Sequence, residues 1–379
     1  MTLAVLSGSQ AVVSASARVR EVDLGTVSQE FVRLWRQLES RSIEGNAFRS
    51  PDFVLPALKL IDKPVDRPFA LAVESACGQM IGLGVFEKCR GSRALPMTHL
   101  QSWQSEYSLF DGLLIDRSKS CEALAALFRF AGQDSRWNGI SFGNRSAESP
   151  LAQACDQAAT AMGAVWHEDW STKRAIIPIE EVPGDVFAAL YSKSRRKTLK
   201  QSLRRLQARG SVCYSFVRPS PDESRSVDEF LRLEALGWKG EQGTAMAVDA
   251  SHAQFCRDVV NRFAQDSRVV FGELKVDDRI VASTLNLLSG STLFAVKIGW
   301  DPDFADCSPG TLSELFLLQH CHELTGITHV DSCAQPDSYV EKVWPWRTTL
   351  TTGLYTTSMT ADLAASALGR IKRLKRQWK

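Results

Sequence analysis

The sequence predicts an α/β (α+β) fold: a mixed, largely antiparallel sheet flanked by helices and laid out in two halves. Three observations predict it. The chain has 379 residues, roughly two domains of ordinary size. It is 44% hydrophobic and 23% charged, the composition of a globular protein with a sizeable core. Residues 269–300 read as three strands joined by short turns at Asp277-Asp278 and Ser289-Gly290-Ser291, an antiparallel meander that runs into a Ser-Pro-Gly turn and a helix.

The first half mixes strands and helices. Phe31, Leu34, Trp35 and Leu38 recur at spacings of three and four, which predicts a helix over 28–39. A loop from Asn46 leads into a second helix, with Pro51 near its start and Leu60 at its end. Residues 69–73 and 80–86 form a hairpin around Gly78, and 107–115 is strand-like. A helix over 121–131, a strand over 140–142, a helix over 151–162 stopped by Gly163, and a strand over 174–179 complete this half.

Pro183 and Gly184 mark a connector, so the expected units are a leader over 1–20, one domain over 21–182 and another over 183–379. The second half opens with one long helix from about 186 to 208, a strand over 212–217, and helices over 228–236 and 253–264 with a loop at 238–243 between them. After the meander come a loop over 301–310, a helix over 311–324, strands over 327–330 and 348–357, and a basic helical tail from 361. The two halves share this content without an obvious residue-level repeat.

Composition excludes several classes. A net charge of +2 rules out a uniformly basic nucleic-acid binder, so any anion site must come from local clustering. Nine cysteines without a Cys-x-x-Cys pair read as reduced core thiols, not disulfides or a zinc site, and point to the cytoplasm. His320 and His322 are two apart on a helix and share no face, so no metal is expected. Residues 1–17 lack a basic start and are interrupted by Ser, Gly and Gln, which reads as a disordered leader and not a signal peptide. No run of about 18 apolar residues predicts a membrane span. No Gly-x-Ser-x-Gly is present to support serine hydrolysis.

Three constellations carry chemistry. The turn Ser308-Pro309-Gly310-Thr311-Leu312 opens a helix, whose free N–H groups and positive dipole end can hold an anion such as a pyrophosphate; a plain helix cap reads equally from these residues. Lys193, Arg195, Arg196, Lys197, Lys200, Arg204, Arg205 and Arg209 crowd one helix with no acidic residue between them. Such a helix can grip a nucleotide, a nucleic acid or an anionic lipid, or be a solvated face. Asp331, Tyr339 and Lys342 follow a core strand, where a carboxylate could take an amine's proton, a phenol could protonate a leaving thiolate, and an ammonium could neutralise an anion.

These pieces, in this order, resemble the GNAT superfamily of N-acetyltransferases. The nearest resemblance is to the CelD-type branch found in cellulose and exopolysaccharide biosynthesis. It extends over most of the chain: residues 46–53, the basic helix, Gly237-Trp238-Lys239-Gly240, Ser308-Pro309-Gly310, and Asp331 with Tyr339 to Trp344. The resemblance implies two GNAT-like domains in tandem, with a splayed sheet holding acetyl-CoA as acyl donor. Ser308, Gly310, Thr311 and Leu312 would sit at the donor; Arg195, Arg196, Lys200, Trp238 and Lys239 at the acceptor; Asp331, Tyr339 and Lys342 at the chemistry. It implies transfer to an amine on a sugar, nucleotide-sugar or polysaccharide precursor. More distantly the chain is similar to Fem-type enzymes, which use aminoacyl-tRNA, and Lys342 falls where those proteins place a phosphate-contacting lysine; a non-catalytic binding protein that keeps the GNAT fold is the remaining alternative. The usual Gln/Arg-x-x-Gly-x-Gly/Ala donor loop survives here only as Gly310, and Val340-Glu341 separates Tyr339 from Lys342.

Overall fold

A computed structural model describes residues 17–61, 67–236, 243 and 245–377. The first half runs β1 (Arg18–Asp23), α1 (Gln29–Ser40), α2 (Pro51–Leu60), β2 (Phe69–Glu74), β3 (Met80–Cys89), β4 (His99–Ser102), β5 (Leu114–Ile115), α3 (Ser120–Gln133), β6 (Gly139–Ser146), α4 (Pro150–Ala161) and β7 (Val165–Pro178). The second half runs α5 (Val186–Leu190), α6 (Lys193–Gln207), β8 (Val212–Val217), α7 (Arg225–Leu236), α8 (Ala250–Ala264), β9 (Val269–Val276), β10 (Arg279–Ser289), β11 (Thr292–Trp300), α9 (Pro309–His320), β12 (His329–Asp331), β13 (Trp346–Thr356) and α10 (Met359–Gln377).

The halves repeat one plan, strand–helix–helix–three strands–helix–strand, which residue-level self-similarity does not reveal. All strands join one sheet in the order β1-β2-β3-β4-β6-β13-β7-β12-β11-β10-β9-β8, with β5 alongside β3. Neighbours are antiparallel except β4–β6 and β11–β12. β13 lies between β6 and β7, so the chain's second half supplies a strand to the middle of the first half's sheet.

A shared core also joins the halves. Phe48 packs edge-on against Phe294 at 5.4 Å, and Phe53 against Phe255 at 5.5 Å. Arg268 crosses the seam to Glu39 at 2.9 Å and to Asp52, and Ser289 donates to Glu39 at 2.7 Å. Without Arg268 the buried Glu39 would lose its counter-charge, while Asp52 would keep its ion pair with Arg36 at 2.5 Å.

The structure corrects four expectations. Residues 186–208 are two helices, because Ser192 takes an extended conformation and its hydroxyl accepts from the Arg195 N–H, starting a new helix. Residues 107–115 are strand only at Leu114–Ile115: the Asp111 carboxylate accepts from the Gly112 and Gly143 N–H groups, and Gly112 has a φ of +142°, which breaks the alternation. Order begins before residue 21, since Arg18-Val19-Arg20-Glu21 already alternates against β2. The loop over 301–310 holds a 3₁₀ turn at Pro302–Cys307, and the helix after it starts at Pro309. The loop expected at 238–243 lies outside the described residues apart from Gly243.

Candidate active site

The site grows from the place where β11 and β12 part. They pair in parallel over Thr292–His329, Leu293–Val330 and Phe294–Asp331, and no further. From Ala295 onward the β12-facing edge of β11 has no strand partner among the described residues. Leu285 faces Lys297 while Asn286 faces Ala295, so Val296 is an extra residue, a β-bulge at the point of divergence. Bulges leave a residue unpaired and re-aim the strand.

A cleft of about 370 Å³ opens beside the diverging end of β11. Ile298, Gly299 and Trp300 of β11 line one side, Ser308 to Thr311 another, and Leu233, Glu234 and Tyr339 close it. Gly299 permits the close approach of α7: a Cβ there would stand 2.5 Å from the Glu234 backbone nitrogen. Glu234 is buried, ion-paired with Lys297 at 2.5 Å, and accepts from the Met246 N–H at 2.8 Å.

The start of α9 has the features an anion site at the Ser-Pro-Gly turn needs. Ser308 has left-handed φ and ψ of 55° and 54°, and its side chain makes no capping hydrogen bond. The first turn of α9 carries no acidic residue. Its N–H groups therefore border the cleft with neither a side-chain cap nor a compensating charge. Gly310 lies against the Trp300 indole, where an added Cβ would make ordinary contact at 3.4 Å.

Tyr339 sits in a short 3₁₀ turn, Tyr339–Lys342, and its hydroxyl donates to Glu314 Oε1 at 3.4 Å. Glu314 is buried on α9, and burial pushes its carboxyl up to about 7, with the Tyr339 hydroxyl pulling the other way. Its second oxygen has no protein partner. Burial and the neighbouring Glu314 carboxyl raise the Tyr339 phenol well above its ordinary value, so it is a proton donor at neutral pH. The pair sets a carboxyl and a phenol, both held toward their protonated forms, side by side at the wall of the cleft.

The structure thus brings Ser308, Gly310, Thr311 and Tyr339 together and scatters the rest. Leu312 is fully buried in the core behind α9. Lys342 is exposed, in the same turn as Tyr339. Asp331 faces a different cavity of similar size, between the halves, together with Glu44 and His329. It is held by Arg174 at 3.5 Å and accepts from the Cys333 N–H at 2.7 Å. Burial pushes the Glu44 carboxyl up to about 7, opposed by its hydrogen bond to Ser149 and the charge of Arg145. Arg195 and Arg196 are half-buried, while Lys200 is exposed over the Phe187 ring at 5.6 Å. Helix α6 abuts the cleft's rim: Arg205 donates to the Asp306 carbonyl at 3.1 Å, and Arg209 pairs with the Asp306 carboxylate at 3.1 Å. Trp238 and Lys239 lie outside the described residues. Among the described residues no group of His, Cys, Asp and Glu could hold a metal.

Glu314, Trp300 and Lys297 escaped the sequence reading. Glu314 had a signal: it is the one charge in the apolar run Leu312–Leu318, so it must face the core.

Residues 193–340 match the family model of the acetyltransferase (GNAT) domain. The second half is a GNAT domain. The fold extends the likeness to nearly the whole chain. FemX is similar over 91% of this chain and 98% of its own, with a TM-score of 0.56 at 13% identity. The C-terminal domain of a putative lysylphosphatidylglycerol synthetase from Agrobacterium fabrum is similar over 90% and 95%, with a TM-score of 0.52 at 12% identity. No curated protein matches the sequence. The family match marks residues 193–340 as a GNAT-type acyltransferase domain.

Proposed function

We propose that the second half transfers an acyl group, acetyl in the simplest case, from acyl-CoA to a primary amine on a sugar, nucleotide-sugar or polysaccharide precursor. The observation that carries this reading is the uncapped start of α9 meeting the open edge of β11 in one cleft. An anion-binding helix end beside unpaired strand amides suits a long donor with a pyrophosphate at one end and a reactive carbonyl at the other. The amine nitrogen bonds to the carbonyl carbon, the C–S bond breaks, and the thiolate takes the Tyr339 phenolic proton. Glu314, acting through Tyr339, resupplies that proton and in turn accepts the one the amine gives up. Positioning supplies the larger share of the acceleration. The CelD-type acceptor class rests on the sequence resemblance alone.

A second reading, an aminoacyl-tRNA donor, is favoured by one observation: basic helix α6 borders the rim of the donor cleft, where an RNA backbone could lie. Thermal-shift titration separates the two. With acetyl-CoA the melting temperature of the whole protein is expected to rise, and with Gly310→Trp, which fills the cleft against Trp300, the rise is expected to vanish. No response to acetyl-CoA, together with steeply salt-dependent tRNA binding, establishes the second reading instead.

A further inference from the structure

Helix α10 is amphipathic in an unusual way. Its inner side is built to lie close on the sheet: Ala361 and Ala365 are buried, and Ala361 packs with Leu95 and Leu354. Two polar contacts tie it to β7, Asp362 to His167 at 2.8 Å and Lys372 to Asp169 at 2.6 Å. Its outer side should therefore be polar, as on any surface helix. It is not. Met359 is 85% exposed, Leu363 70% and Ile371 48%, and Ala367 and Arg370 are exposed with them. At 100° per residue these five positions fall within about 120° of arc, a mostly apolar stripe in which Arg370 and the exposed Thr360 are the polar members. Trp170, 42% exposed, lines the groove between β7 and the helix beside Gly369 and Lys372.

Charge says what the stripe meets. From Arg370 onward the sequence holds Arg370, Lys372, Arg373, Lys375, Arg376 and Lys379 with no acidic residue, and it sets Leu374 and Trp378 among them. In a molecule of net charge +2 this is a strong local concentration. A second copy docking by two-fold symmetry would set these cations against themselves. RNA would use the cations and leave Met359 and Leu363 in water. An apolar stripe that carries Arg370 and is followed in the sequence by a run of cations fits the boundary between anionic headgroups and acyl chains.

We propose that α10 is a membrane-surface anchor that lays its outer face into a bilayer rich in anionic phospholipid. Among the described residues no helix is long and apolar enough to cross a membrane, so the attachment is peripheral.

The test is sedimentation of the whole protein with vesicles. Binding is expected to phosphatidylcholine vesicles containing phosphatidylglycerol, little to phosphatidylcholine alone, and less at high salt. Met359→Ser/Leu363→Ser is expected to weaken binding at least about ten-fold with an unchanged melting temperature, since both side chains are exposed. Lys197→Ser/Lys200→Ser on α6 is expected to leave vesicle binding unchanged. Four results overturn the proposal: no vesicle binding, binding that the α10 variant leaves intact, binding lost in the α6 variant instead, or a dimer that the α10 variant dissolves.

Discussion

In the second half β11 and β12 part after the Phe294–Asp331 pair; in the first half β4 and β6 part after Gln101–Ser141. The same break in the same sheet is open in one half and sealed in the other. The first half closes it with charge. Arg49 and Asp111, both fully buried, form an ion pair there; Arg49 reaches Ser102 Oγ at 3.0 Å and the Gly112 carbonyl at 3.1 Å, while Asp111 accepts from the Gly143 N–H at 2.7 Å. Ser102 and Gly143 stand on the two strands just beyond their last pair, so the network spans the gap. Helix α3 after the break carries Glu122 in its first turn, whereas α9 has no acid in its first turn. One half fills its break with a buried ion pair, and the other leaves it open.

Breaking the seal has the largest expected effect. Arg49→Met leaves Asp111 buried without its counter-charge and should cost about 3–5 kcal/mol in urea unfolding. Arg49→Met/Asp111→Leu removes both charges and should recover most of that loss. If the single change costs under about 1 kcal/mol, the pair is not what closes the first half.

The open half should show its own signature in pH. Glu314 has a folded value raised to about 7, so the folded state holds a proton that the unfolded chain releases near 4.5. Stability from this group is therefore present at low pH and lost as pH rises from about 4.5 through about 7. Glu314→Gln removes that loss. The variant should gain up to about 3 kcal/mol at mildly alkaline pH and little at acid pH, while transfer slows. Melting temperatures across pH read it directly. Glu44 keeps part of the wild-type slope, because its carboxyl is raised as well.

The sequence exposed what depends on periodicity and turns. The meander over 269–300, helices α1 and α2, and the Ser308-Pro309-Gly310 turn are local patterns, and each appears within a few residues of its expected place. What stayed hidden depends on distant pairing. Nothing near Thr348 announces that β13 enters the sheet between β6 and β7. Arg49 and Asp111 are 62 residues apart, and neither position alone signals the other. Asp331 illustrates the converse: its position after a core strand pointed to catalysis, yet its carboxylate turns to Arg174, a partner 157 residues earlier. Glu314 was legible in principle, as a lone acid in an apolar run.

The smallest effect tests how the open half draws its donor. Basic helix α6 precedes β8 and borders the cleft rim, and no described helix precedes β1 in the first half. Lys197 and Lys200 are exposed, and exposed charges act through a screened field, each contributing on the order of 0.5 kcal/mol at low salt. Lys197→Ser/Lys200→Ser should therefore weaken acetyl-CoA a few-fold by calorimetric titration in dilute buffer, and the difference should fade at high salt. A loss that persists at high salt would mean that these lysines touch the donor directly. That outcome would move the phosphate site from the start of α9 toward α6, and the uncapped turn would then be only the neighbour of the site.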